Sequence, residues 1–137
     1  MVITEEFSHV GLRTDDVDET VAFFERHLGA EVVDRGTIAR DDWEYEVAVA
    51  ALSVADKDVF VVDPTPYEAA GLVESVQPGI AHYGFVVADV DAALADWTAA
   101  DGTVLMEPFT LGDARYAFCH GPDGSRIEFV EHSSETA

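Results

Sequence analysis

Two stretches decide the fold: FSHVGLRTDDVDETVAFFERHLG, residues 7–29, and IAHYGFVVADVDAALADWTAADG, residues 80–102. With Phe7 laid on Ile80 they align without a gap. His9 meets His82, Gly11 meets Gly84, Asp16-Val17-Asp18 meets Asp89-Val90-Asp91, Ala22 meets Ala95 and Gly29 meets Gly102. Similar residues fill the positions between, as at Phe7/Ile80, Leu12/Phe85, Val21/Leu94 and Phe24/Trp97. A repeat this long, present twice, is a duplicated module and not a solenoid.

Each copy opens with an alternating strand that puts Phe7, His9 and Gly11 on one face and Ser8, Val10 and Leu12 on the other. A helix follows. Val17, Val21, Phe24 and Leu28 share one apolar face, and Val90, Leu94 and Trp97 repeat the spacing. Asp16 and Asp89 are natural N-caps, Glu19 completes a capping box with Asp16, and Gly29 and Gly102 stand where a left-handed stop belongs. Three strands are expected after each helix: Ala30–Gly36, Trp43–Ser53 and Asp58–Asp63, then Thr103–Phe109, Arg115–His120 and Arg126–Glu131. Gly121-Pro122-Asp123-Gly124 is the turn joining the last two. The fold class is therefore α+β: two βαβββ modules, residues 5–64 and 79–132, with a Pro- and Gly-rich linker at 65–78 and a tail at 133–137 that frays.

The 137 residues suit one ordinary domain or two small modules sharing a core. Twenty-eight acidic residues against seven basic ones give a net charge of −21, which repels phosphate backbones and anionic lipid. No nucleic-acid or membrane partner is expected. No apolar run is long enough to span a bilayer, so a cytoplasmic location is expected. Lys57 is the only lysine. An acid-rich, lysine-poor surface suits molar salt, where the Debye length is about 3 Å, and points to a halophilic source. Cys119 lies in an apolar stretch and reads as a buried, inert thiol.

His9 and His82 hold the same place in the first strand of each module. In the last strand, Ile127, Phe129 and Glu131 share one face, and Arg126, Glu128 and Val130 the other. With Ile127 and Phe129 under the helices, Glu128 points to the opposite face, toward which His9 and His82 also point. Two imidazoles and a carboxylate converging in this way form a 2-His-1-carboxylate set with open positions for substrate, water or O₂ on an ion such as Fe(II) or Mn(II). His27, His120 and His132 read as structural or solvated.

The doubled pattern, His9, His82 and Glu128, and the ending Gly121-Pro122-Asp123-Gly124-x-x-Ile127-Glu128-Phe129 resemble the vicinal oxygen chelate superfamily. Its members include glyoxalase I, extradiol dioxygenases, methylmalonyl-CoA epimerase, fosfomycin-resistance enzymes and metal-free bleomycin-binding proteins. The resemblance implies an open eight-stranded mixed sheet curled into a cup, a divalent metal on His9, His82 and Glu128, a small-molecule substrate and a homodimer. It favours Fe(II) or Mn(II), with Zn or Ni as alternatives. Glyoxalase I and the epimerase carry a fourth protein ligand in the last strand of the first module, where this chain has Phe60. Asp63 takes that place only with a shifted register. Fosfomycin-type transferases gather cations around a phosphonate, and here Arg115 stands alone. The resemblance thus leans toward an extradiol dioxygenase-like enzyme. Its alternatives are a metal-free, bleomycin-resistance-like binding protein and a glyoxalase- or epimerase-type lyase or isomerase. Trp43, Tyr45 and Tyr116 are candidates for the pocket lining.

Overall fold

The computed structural model describes residues 1–132; the tail expected to fray lies outside the described residues. The elements run β1 (Glu6–Arg13), α1 (Val17–Leu28), β2 (Glu31–Ile38), β3 (Val47–Val54), β4 (Lys57–Asp63), α2 (Pro66–Ala69), β5 (Gly79–Val86), α3 (Val90–Ala99), β6 (Val104–Leu111), β7 (Ala114–His120) and β8 (Arg126–His132). This is β-α-β-β-β twice, with the short α2 between. The chain divides into two compact units. One is His9–Ala81; the other is Met1–Ser8 with the chain from His82 onward.

In the His9–Ala81 unit the strand order is β2-β3-β4-β1. β2 and β4 each pair with β3 antiparallel, while β4 and β1 are parallel. The parallel pair requires a crossover, which α1 begins. Val17, Val21 and Phe24 of α1 pack with Leu12, Ala30, Ala50, Leu52 and Val61. Burying a side chain such as Leu52 or Val61 is worth about 1.5–3 kcal/mol. Leu28, expected on this face, is instead 57% exposed; the helix ends there, and Ala30 fills the core position beyond it. Asp16 caps α1 by accepting from the Glu19 amide at 3.0 Å, and Gly29 ends it at φ 64°.

The linker holds more order than its prolines suggested. Thr65 and Glu68 form a reciprocal capping box around α2, with Pro66 in its first turn. Among the described residues the reciprocal box is recorded here and not at Asp16/Glu19, where only the aspartate half forms. The Glu68 carboxylate also accepts from Arg13 Nε at 3.1 Å and from the Val76 amide at 3.0 Å. Burial alone would raise the Glu68 carboxyl, but the hydrogen bonds from Arg13 and Thr65 outweigh it and hold it below the usual carboxylate value. Trp43 lies in the turn before β3, buried, so β3 starts later than the expected Trp43.

In the other unit the order is β5-β8-β7-β6, with β5 and β8 parallel and the remaining pairs antiparallel. Val90, Ala93, Leu94 and Trp97 of α3 pack with Phe85, Ala117, Cys119, Ile127 and Phe129. Cys119 is fully buried, and desolvation, with the Glu107 charge, pushes its thiol up to about 12. Glu131 faces the helix side, as the alternation requires, and accepts from the Val90 amide at 2.9 Å, a second cap beside Asp89.

Gly102 departs from the expectation of a left-handed stop. Asp101 takes that conformation, at φ 71°, and Gly102 is needed for space: a Cβ there would lie 2.4 Å from the Trp97 indole nitrogen. That indole donates to the Thr103 carbonyl at 3.0 Å, which pins it over the glycine.

Candidate functional site

β5 and β8 run parallel with Gly84 opposite Glu128. His82 stands two residues before Gly84 and so shares its face. The register places the imidazole and the carboxylate side by side: His82 Nε2 lies 3.1 Å from Glu128 Oε1, and both side chains are buried. Phe118 pairs with Glu128 from β7, and its ring meets His82 edge-on at 5.1 Å. Phe109 of β6 stacks with Tyr116 at 5.6 Å and with Phe118 at 6.4 Å. The result is a polar pair backed by an aromatic wall. Burial, then the Glu128 charge and the Asp113 charge, raise the Tyr116 phenol above its usual value, so its hydroxyl stays protonated at neutral pH.

In the His9–Ala81 unit, β1 and β4 repeat that register with Gly11 opposite Phe60. His9 precedes Gly11 by two and is likewise buried. No carboxylate comes from β4 at this place. The Phe60 ring stacks on the imidazole, with centroids 4.1 Å apart and planes 17° from parallel. The unshifted register leaves Asp63 opposite Ala48, 3.7 Å from Arg13 Nη1. A shifted register that brought Asp63 to the Phe60 position is therefore not formed.

The donor set suits a divalent ion. Imidazole nitrogen and carboxylate oxygen are borderline and hard donors. Two ligands about 2.1 Å from an ion and at right angles to each other stand about 3.0 Å apart, near the observed His82–Glu128 separation. The other histidines do not join this set: His27, His120 and His132 are exposed. Arg115 is held by Asp91 at 3.1 and 3.2 Å, so the arginine on the third strand of the second module is already neutralised. Tyr45 is 60% exposed, and Trp43 is buried in its turn. Sequence reasoning missed the aromatic wall as a group. Its signal was present in the alternation Tyr116, Phe118 on the strand hairpinned to Glu128.

The family model for the Glyoxalase/Bleomycin resistance protein/Dioxygenase superfamily matches residues 6–129. The chain belongs to this superfamily. A relative from Arabidopsis thaliana, "Probable lactoylglutathione lyase, chloroplastic", is 29% identical over 90% of this chain and 35% of its own length, so the chain spans about a third of that relative. The lactoylglutathione lyase of Haemophilus influenzae is 28% identical over 92% of both chains. Methylmalonyl-CoA epimerase from Mycobacterium tuberculosis superposes with a TM-score of 0.76 over 98% of this chain and 93% of its own, at 23% identity. That likeness shows the superfamily fold, an eight-stranded mixed sheet with helices. These relatives are enzymes by name. No helix among the described residues is long and apolar enough to cross a membrane.

Proposed function

We propose that His9, His82 and Glu128 together hold one divalent metal ion, and that the chain is an enzyme acting on a small organic molecule with two adjacent oxygens. The observation that carries this is the buried His82–Glu128 pair at 3.1 Å, with a third buried donor, His9, at the matching register of the twin module. Such an ion polarises bound oxygens as a Lewis acid and, as Fe(II) or Mn(II), also supports O₂ chemistry. The protein's own part is to supply one negative charge from Glu128, to keep water away with Phe109 and Phe118, and to present the neutral Tyr116 hydroxyl as a donor to a substrate oxygen.

Three protein donors, with Phe60 where a fourth could stand, favour the oxygenase-like reading, ring or enol cleavage of a catechol-like substrate. The second reading, a lyase or isomerase, is favoured by the names of the relatives. Oxygen uptake with catechols separates it from turnover of lactoylglutathione or methylmalonyl-CoA. We also propose a homodimer, which the superfamily resemblance implies, and a salt-rich cytosol, supported by the net charge of −21.

Metal analysis of anaerobically purified protein tests the core of this. One ion per chain is expected, and His82→Ala should weaken binding more than 100-fold in calorimetric titration. A wild-type protein with no affinity for Fe(II), Mn(II), Ni(II) or Zn(II) overturns the metal site. If it then binds an aromatic or cationic ligand whatever the chelator, the metal-free binding protein is the answer.

A further inference from the structure

The two histidines have the same strand position but different neighbours. Gly84 faces Glu128 and Gly11 faces Phe60, each two residues past its histidine. In the second module this geometry sets a carboxylate 3.1 Å from the imidazole. In the first it lays a ring, with no donor atom, flat on the imidazole at 4.1 Å. A stacked ring covers one face of the imidazole and holds the plane of the ring against rotation about its Cβ–Cγ bond. A ligating lone pair lies in that plane, so the stack fixes the direction in which His9 can bind.

We infer that Phe60 is a positioning residue for His9: its stacked ring holds the imidazole plane in the orientation in which it ligates. The inference rests on the metal reading above.

Mn(II) titration followed by electron paramagnetic resonance tests this. F60L removes the ring but keeps the site apolar, and should bind Mn(II) about tenfold more weakly, the lower end of what losing an orienting partner costs. F60Y, which keeps the ring, should bind as wild type does. Thermal unfolding of each variant confirms that it is folded. A wild-type chain that binds no Mn(II) overturns the metal reading and this inference with it. A wild-type chain that binds, with F60L binding equally well, overturns this inference alone.

Discussion

Gly11 opposite Phe60 and Gly84 opposite Glu128 are one place in a duplicated motif, yet one ends in an aromatic stack and the other in an imidazole–carboxylate pair. The modules diverge elsewhere in the same way. Arg13, at the end of β1, reaches Glu68 on α2; its counterpart at the end of β5 is Val86, buried and apolar. Helix α1 stops at a left-handed glycine, whereas α3 stops at Asp101 with Gly102 spared for Trp97. Backbone pairing has outlasted the duplication because a one-residue slip would turn every side chain to the wrong face. The side chains at matched positions carry no such constraint, so chemistry could be concentrated in one half.

Arg13→Met should show the largest asymmetry in stability. It takes the cation from the buried Glu68 carboxylate, which keeps its bonds from Thr65 and Val76, and should cost about 3 kcal/mol in denaturant unfolding, the low end for a broken buried pair. Val86, which takes the place of Arg13 in the second module, has no charge to pair. The pH dependence follows from the lowered Glu68 value. Its contribution is fully present above the unfolded-state carboxyl value and is lost as pH falls through the folded one, so wild type should lose stability there and R13M should lose less. Equal acid slopes would remove Glu68 from the account.

The glycine exchanges come next. Gly102→Ala must displace the Trp97 indole and its bond to Thr103, and should cost about 2 kcal/mol, as overpacking does. Gly29→Ala meets open space and bears only the left-handed backbone cost, about 1 kcal/mol. The reverse order would mean that the Trp97 indole moves aside easily and that Gly102 is not needed for its space.

The smallest contrast is at the caps. Asp16→Ala should lose about 1 kcal/mol. Asp89→Ala should lose less, because Glu131 still accepts from the first turn of α3. Equal losses in paired thermal melts would show that the Glu131 contact contributes nothing.

The duplicated motif, the strand and helix faces, both N-caps and the three candidate ligands were legible in the linear chain. Each rests on a local period of two or 3.6 residues, or on a repeat that one sequence displays against itself. The α2 capping box was equally local, in Thr65-Pro66-Tyr67-Glu68, and was hidden only by the expectation that proline means loop. Other features belong to the folded molecule alone. Arg13 and Glu68 are 55 residues apart, Glu131 caps a helix that begins at Val90, and the Phe60 ring reaches His9 across a strand pair. Local periodicity determines which way a side chain points. What it meets there depends on chain reversals and pairing registers that bring distant segments together, and those are set by the packing of the whole.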